Sequence, residues 1–155
     1  DKDDVVLYHD SGRPCYNWQI KKNVVPFIET IQKHNKGLGL LFGPWNHGKF
    51  CKREMLVEMN CDEFKYTQHR QISATWSFWT KNEFCIEILK DWKKWAIHPN
   101  MLITDKPSKI KEHDHFRENR HDQSILTNIV LQKVFNHSYT PIFSKGYEKD
   151  INNIL

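Results

Sequence analysis

The sequence contains no long apolar run and no closely paired cysteines. No stretch approaches the roughly 20 apolar residues that a membrane-spanning helix requires, so we expect no membrane span. The four cysteines include no C-x-x-C pair, which argues against a zinc ribbon, and their uneven spacing is not typical of a disulfide framework. Internal repeats and low-complexity tracts are also missing. These absences favour free thiols in a reducing compartment, and we expect a cytoplasmic location.

Length and composition are those of an ordinary globular domain. The chain has 155 residues, of which 39% are apolar and 27% charged, and we expect a single domain over 1–155. The net charge is +4, and the excess is spread along the chain. This suits a small anionic substrate better than a nucleic-acid duplex, so no nucleic-acid partner is expected. Oligomeric state is left open.

Hydrophobic periodicity predicts strands that alternate with helices. The predicted strands are Val5–Tyr8, which we expect to be buried, Leu38–Phe42, Gln71–Trp79 and His137–Ser144. The predicted helices are Asn23–Gly37, Lys49–Met59, Asn82–Ala96 and Asp122–Phe135. The stretch 98–119 has no periodicity and is predicted to be a functional or mobile loop. The alternation favours an α/β domain with a mostly parallel sheet flanked by helices.

The first candidate site follows the first predicted strand. The apolar run stops at Asp10, Ser11 and Gly12, so the strand delivers a carboxylate to the rim of a sheet. One carboxylate suits a divalent metal ion carried by a nucleotide diphosphate, because phosphate oxygens and water supply the other ligands. Gly12 lets the backbone approach a ligand closely. The alternative is a plain turn held by an Asx hydrogen bond.

The second candidate site is the predicted start of the last helix. It contains Arg120, His121, Asp122 and Gln123, and a helix start favours anions through its free N–H groups and its dipole. We expect Asp122 to cap this helix, and the same carboxylate can accept hydrogen bonds from ligand hydroxyls. The alternative is that Asp122 is a cap alone.

Histidines and tryptophans supply further candidates. The stretch 113–122 is rich in possible metal ligands, but its spacing matches no zinc template, so a solvated polar loop is the preferred interpretation. Trp76 and Trp79 lie on opposite faces of their predicted strand, Trp76 toward the core and Trp79 toward solvent. Trp45 lies in 43–48, a second possible ligand loop after a strand, which is alternatively a plain connection.

Four segments, in their order along the chain, resemble glycosyltransferases of the GT-A fold. VVLYHDSG ends at Asp10–Gly12, QISATWSFW and DWKKWA follow in the middle, and NRHDQSIL contains Asp122 and Gln123. The resemblance is to enzymes that use nucleotide sugars, and more narrowly to those of large DNA viruses such as the chlorella viruses. It extends from Val5 to about Val130.

The resemblance implies transfer of a sugar from a UDP-sugar to a glycan acceptor, with Mn²⁺ or Mg²⁺ bound through Asp10. The family motif has two aspartates around one residue, whereas this chain has Gly12 at the second position. His137 is therefore considered as a second metal ligand. In family members that retain the anomeric configuration an Asp-Gln pair contacts the donor sugar, which assigns catalysis to Asp122 and Gln123. Retention is preferred because no acidic general base of the inverting kind is evident.

The same assignment implies further contacts and a missing part. Donor contacts are expected from Ser11, Gly12, Arg120 and His121 in addition to Asp10, and acceptor contacts from Trp45 and Trp79. A GT-A domain has about 60 residues of βαβ structure before its acidic motif. Only four residues precede the first strand here. We therefore expect the chain to be the C-terminal, catalytic portion of such a domain, located in the host cytoplasm if the protein is viral.

Two other function classes remain alternatives. A metal-dependent nuclease or phosphoesterase would use Asp10 with the polar stretch 113–122, although two-metal sites normally need more carboxylates near the strand end. A non-catalytic carbohydrate-binding module would use Trp and Tyr side chains to stack sugars.

Overall fold

The structure, a computed structural model, describes residues 4–10, 27–34, 36–100 and 102–140. The described strands are β1 (Val5–His9), β2 (Leu38–Asn46) and β3 (Arg70–Thr80). The described helices are α1 (27–33), α2 (Arg53–Glu58), α3 (Phe64–Thr67), α4 (Glu83–Ala96) and α5 (His121–Phe135), and a short 3-10 helix covers His47–Lys49. None of these helices is long and apolar enough to cross a membrane.

The three strands form an antiparallel sheet in the order β1–β3–β2. β1 pairs with β3 in a register that sets Val5 opposite Thr80 and His9 opposite Trp76. The fold is therefore mixed α/β, but the described sheet is not the mostly parallel sheet that the alternation of elements predicted. The chain leaves β2 and enters β3 at the same end of the sheet, where the His47 backbone N–H donates a hydrogen bond to the His69 oxygen at 2.7 Å. Such a return makes neighbouring strands antiparallel.

Both outer strands differ from their predicted character. β1 was expected to be buried, but it lies at an edge of the described sheet, and Val6, Leu7 and Tyr8 are exposed. β2 was expected to end at Phe42, but it continues through Gly43 and Pro44 to Asn46. Proline has no backbone N–H to donate to a neighbouring strand. It is tolerated there because β2 is the other edge strand of the described sheet, where such an N–H can face away from the neighbouring strand.

The chain divides into two compact units. The first unit includes the described residues 4–10, 27–34, 36–41 and 73–87. Its core contains Ile31 and Phe78, with Val5, Phe27 and Ile28 packed against them. The rings of Phe27 and Phe78 meet edge to face at a centroid distance of 4.9 Å.

Two turns in the first unit follow the predicted capping pattern. Gly37, after α1, has a φ of +57°, the left-handed conformation that glycine adopts at helix ends. Asn82 precedes α4 and accepts a hydrogen bond from the Cys85 backbone N–H at 2.9 Å. The predicted N-terminal cap of this helix is confirmed.

The second unit includes the described residues 42–72, 88–100 and 102–140. Its central element is α5, which is buried on all sides from Ser124 to Leu131. The buried stretch includes the polar residues Thr127 and Asn128. Among the described residues, every buried side-chain nitrogen and oxygen has a hydrogen-bond partner, which offsets the cost of burying these polar groups.

The elements around α5 are shorter than predicted. α2 begins at Arg53, not Lys49, because Lys52 has an extended backbone with ψ of 137°. Within the predicted range Lys49–Met59, the apolar residues Phe50, Met55, Leu56 and Met59 are buried. After α5, the residues 137–140 are not in a strand, contrary to the prediction, and 141–144 lie outside the described residues. The predicted loop over 98–119 is confirmed at its described positions.

Candidate functional site

The start of α5 presents Asp122 to solvent. α5 begins at His121 after Arg120, and no side chain forms an N-cap hydrogen bond there, so the prediction that Asp122 caps the helix is wrong. The Asp122 side chain is exposed, and within the described ranges its carboxylate has no hydrogen bond or ion pair. Its backbone oxygen accepts from Trp92 Nε1 at 2.8 Å. A carboxylate in this first turn is stabilised by the helix dipole and is accessible to a ligand.

The residue before Asp122 has a strained backbone. His121 has a φ of 44°, in the left-handed region that is uncommon for residues other than glycine. Its Nε2 atom lies 2.7 Å from Asp105 Oδ1, a contact that holds the ring against the preceding loop. Strained residues maintained by their surroundings cluster at ligand sites, which supports the start of α5 as the candidate site.

Gln123 is anchored to the interior of its unit. Its Nε2 donates to Oε1 of the buried Gln71 at 3.0 Å. Gln71 Nε2 in turn lies 3.1 Å from Ser124 Oγ and 3.3 Å from the Phe50 backbone oxygen. Ser124 Oγ donates to the same Phe50 oxygen at 2.7 Å. The amide of Gln123 is thus held by a network that continues into the core.

The network ends at a buried histidine. The His47 ring has Nδ1 3.4 Å from Gln71 Nε2 and Nε2 2.7 Å from Asn128 Oδ1. Burial lowers the pKa of His47 to about 4, against the smaller opposing effect of the Asn128 hydrogen bond, because the charged ring would lose its hydration. His47 is therefore neutral near pH 7, with Nδ1 accepting from Gln71 and Nε2–H donating to Asn128.

The neutral state of His47 predicts a pH dependence of stability. The pKa is 6.5 in the unfolded chain and about 4 in the folded one, so the unfolded state binds more protons between these values. The contribution of His47 to the free energy of unfolding is therefore complete above about pH 6.5. It falls as the pH approaches 4, by about 3 kcal/mol in total. Urea unfolding at several pH values measures the slope. His47→Gln should flatten it, and an unchanged slope would contradict the prediction. His69, whose pKa is also lowered by burial, contributes equally in both proteins.

Trp45 and Arg120 form a surface beside the start of α5. The Arg120 guanidinium lies 5.7 Å from the centre of the Trp45 ring and 5.2 Å from that of Phe50, and its Nη2 pairs with Glu118 at 2.6 Å. Trp45 is 44% exposed. The structure therefore keeps Trp45 available as an acceptor contact, whereas the cation of Arg120 is engaged by two rings and a carboxylate.

Trp79 does not have the exposure that its strand position predicted. It is buried, and its Nε1 donates to Ser77 Oγ at 2.8 Å. Trp76, expected in the core, is only half-buried. The strict alternation of β3 predicts which residues share a face, but the last four residues of the strand are buried on both faces. Because Trp79 is buried, the structure does not support the prediction that it contacts the acceptor.

Asp10 follows β1 in the first unit and is exposed. Its backbone N–H donates to the Thr75 oxygen at 3.1 Å, and the Tyr8 hydroxyl donates to Oδ1 at 3.2 Å. Ser11 and Gly12, the other expected donor contacts of this segment, lie outside the described residues.

His137 lies at the opposite end of α5 from Asp122. It follows the C-cap Asn136 with a φ of 59° and is exposed. A helix of 15 residues is about 22 Å long, so His137 does not join Asp122 and Gln123 in one site. The suggestion that it serves the same metal-diphosphate site is not supported by this geometry.

One histidine of the long loop, His113, is engaged by a carboxylate. His113 Nε2 lies 2.6 Å from Asp62 Oδ1, and the His113 and His115 rings stack at 5.3 Å. Partial burial acts to raise the pKa of Asp62, but hydrogen bonds and charges from His113 and Arg53 outweigh it and lower the pKa. Within the described ranges no group of three or more His, Cys, Asp or Glu side chains is placed to hold a metal ion.

Sequence reasoning missed Gln71, His47 and Asn128. Gln71 was only the first residue of a predicted strand, and His47 belonged to a predicted ligand loop, whereas both are fully buried. For Asn128 the sequence does carry a signal, because a polar residue lies there inside an apolar helix. The pairing of residues 81 positions apart, as in His47 and Asn128, has no local signal.

Comparisons with known proteins found no match to this chain. No protein-family model matches it, no curated protein matches it, and no solved structure matches its fold.

Proposed function

We propose that the chain is the catalytic part of a metal-dependent glycosyltransferase. It moves a sugar from a nucleotide-diphosphate sugar, with UDP as the preferred nucleotide, to a glycan acceptor. A GT-A-like architecture, as a more specific description of the α/β fold, is part of this proposal. So is a cytoplasmic location, which suits the free, buried thiols of Cys51, Cys61 and Cys85.

The observation that carries the proposal is an accessible carboxylate next to an anchored amide. Asp122 is exposed in the first turn of α5, and Gln123 is held by Gln71 at 3.0 Å. A cap needs the carboxylate turned back onto backbone N–H groups, and no such hydrogen bond is present at this helix start. The arrangement therefore supports a ligand role for Asp122 over a purely structural one.

These two residues suit the charge changes of sugar transfer. The bond between the anomeric carbon and the diphosphate oxygen breaks, the acceptor oxygen bonds to that carbon, and the acceptor proton passes to the departing phosphate. Positive charge develops on the sugar ring as the first bond breaks, and the Asp122 carboxylate stabilises it. Gln123 orients a sugar hydroxyl. Retention of configuration is the preferred outcome, because it requires no protein carboxylate as base.

Asp10 suits a metal ion that arrives with the substrate. Magnesium commonly takes one or two protein carboxylates and completes its shell with phosphate oxygens and water. Asp10 offers one exposed carboxylate with a single described donor, the Tyr8 hydroxyl. This donor set fits Mg²⁺ or Mn²⁺ bound to a diphosphate, and it does not fit an ion held by protein alone. Such an ion, when bound, neutralises the departing diphosphate.

Thermal denaturation with UDP and Mn²⁺ tests the donor part of the proposal. A ligand at 100 times its Kd adds about 2.7 kcal/mol to the stability of the folded state. We expect UDP with Mn²⁺ to raise the melting temperature, and we expect Asp10→Asn to remove the part of this shift that depends on Mn²⁺. A full shift in the Asp10→Asn variant would exclude Asp10 as the metal ligand.

The other function classes are distinct outcomes of the same screen. Stabilisation by oligosaccharides but not by UDP with Mn²⁺ would indicate a carbohydrate-binding module, which would use the half-exposed Trp45. Hydrolysis of DNA or of a phosphate ester would indicate a nuclease or phosphoesterase. Either result would overturn the glycosyltransferase proposal.

A further inference from the structure

The orientation of the Gln71 amide is determined by a backbone oxygen. One end of this amide lies 3.3 Å from the Phe50 carbonyl oxygen, which can only accept a hydrogen bond. That end must therefore be Nε2, whose two hydrogens are shared among three acceptors, the Phe50 oxygen, Ser124 Oγ and His47 Nδ1. The opposite end is Oε1, which can only accept.

The orientation of Gln123 follows from that of Gln71. Because Gln71 Oε1 only accepts, the Gln123 atom at 3.0 Å from it must be the donor Nε2. The Gln123 carbonyl oxygen Oε1 is then the end that points away from Gln71, and it has no partner within the described part of the chain. Exchanging the nitrogen and oxygen of the Gln71 amide alone would set an oxygen against the Phe50 oxygen and a nitrogen against the Gln123 nitrogen. Neither contact would then be a hydrogen bond.

We propose that Gln71 is a positioning residue, which holds Gln123 with its nitrogen inward and its carbonyl oxygen available to ligand. With one N–H of Gln123 directed to Gln71 Oε1, the outward Gln123 oxygen and the Asp122 carboxylate present hydrogen-bond acceptors to a ligand. This selects ligand groups that donate hydrogen bonds, such as sugar hydroxyls, over phosphate oxygens, which only accept. The assignment of the ligand rests on the proposed function, whereas the orientation of Gln123 stands independently of it.

The burial of Gln71 supports a positioning role. Gln71 is fully buried, as are Ser124 and His47, to which its Nε2 is directed. Side chains fixed by buried hydrogen bonds hold a site within the narrow geometric limits that catalysis requires. Loss of Gln71 would leave Gln123 free to rotate, without removing any group that touches substrate.

Substitutions at Gln71 and Gln123 test the proposal. Gln71→Met keeps a similar volume and removes the hydrogen bonds, so kcat with a UDP-sugar should fall on the order of 100-fold. Gln123→Met also removes the oxygen that contacts the ligand, so it should lower kcat at least as far. The double variant should be no worse than Gln123→Met alone, because Gln71 acts only through Gln123. Additive losses in the double variant would overturn the proposal.

Gln123→Glu gives an outcome that a merely structural role does not predict. Glutamate retains an outward oxygen, but its inward oxygen would oppose Gln71 Oε1, which cannot rotate away from Phe50. We expect activity as low as that of Gln123→Met, and a melting temperature lower than that of Gln123→Met. Near wild-type kcat in Gln123→Glu would show that Gln71 does not orient this side chain.

Gln132→Met is the matched control. Gln132 is also a partly buried glutamine of α5, and its Nε2 donates to the Met59 oxygen at 2.6 Å. Its substitution should lower the melting temperature but leave kcat unchanged, and an equal loss of kcat would show that the Gln71 effect is only global.

The side-chain amide signals of Gln123 separate this proposal from the proposed function. In ¹⁵N-resolved spectra of the full chain without ligand, Gln71→Met should move these signals to values typical of a free glutamine, while Gln132→Met should not. If the signals move in Gln71→Met as expected but the chain does not bind UDP, the glycosyltransferase proposal is rejected, whereas the orientation of Gln123 by Gln71 is retained. Unmoved signals would reject the orientation.

Discussion

Replacement of Asp122 by asparagine is expected to lower kcat on the order of 100-fold or more while the fold stays intact. The variant keeps the size of the side chain but loses the negative charge that, in the proposed reaction, stabilises the developing charge on the sugar. The structural cost is small, because Asp122 is exposed and makes no N-cap hydrogen bond. Its favourable interaction with the helix dipole is worth about 0.3–1 kcal/mol.

Turnover and thermal melting measured on the same samples check this expectation. Asp114→Asn is the control, because Asp114 is an exposed aspartate of the same unit, paired at 3.5 Å only with the exposed Lys111. It removes the same charge and should leave kcat unchanged. A large drop in melting temperature with unchanged kcat would assign Asp122 to helix stability and not to the reaction.

The second large effect is expected at Gly37, where alanine should lower the free energy of unfolding by about 3 kcal/mol or more. The φ of +57° disfavours any residue with a Cβ atom. The added Cβ would also overlap Thr80 Oγ1 and lie 2.8 Å from Asn82 Nδ2. Thr80 Oγ1 donates to the Gly37 oxygen at 3.0 Å, and Asn82 Nδ2 donates to the Lys36 oxygen at 3.0 Å. The substitution therefore disturbs the hydrogen bonds that join this turn to the start of α4.

Chemical denaturation of Gly37→Ala and Gly43→Ala distinguishes this effect from a general cost of filling glycine positions. A Cβ at Gly43 would meet Trp45 ring atoms at 2.8 and 3.0 Å, and its φ is not positive. Trp45 is half-exposed and can move, so Gly43→Ala should cost much less. Equal losses in the two variants would contradict the argument from backbone conformation.

Local elements were predictable where one residue type dictates a local conformation. Alternation located β3, Asn82 marked the start of α4, and Gly37 marked the turn after α1, because capping and strand periodicity depend on neighbours within a few positions. The same reasoning failed for Asp122, since an aspartate near a helix start has several positions available. Here the helix begins at His121, two residues earlier than a cap at Asp122 requires.

Burial was not predictable from the same patterns. β1 has the composition of a buried strand but lies at a sheet edge, and Trp79 has the periodicity of an exposed residue but is buried. Whether a strand is central, and whether its second face is covered, depends on segments distant in the chain. Alternation reports which side chains share a face and not what lies against that face.

The sequence by itself determined the order of the elements, the positions of Asp10, Asp122 and Gln123 at element ends, and the loop before α5. Only the tertiary structure decided that the sheet is antiparallel and that Asp122 is free of a capping role. It also decided that Gln123 is oriented by Gln71, 52 positions away. Capping and periodicity arise from contacts between near neighbours, whereas sheet direction, burial and the polarity of a hydrogen-bond network arise from contacts that folding alone creates.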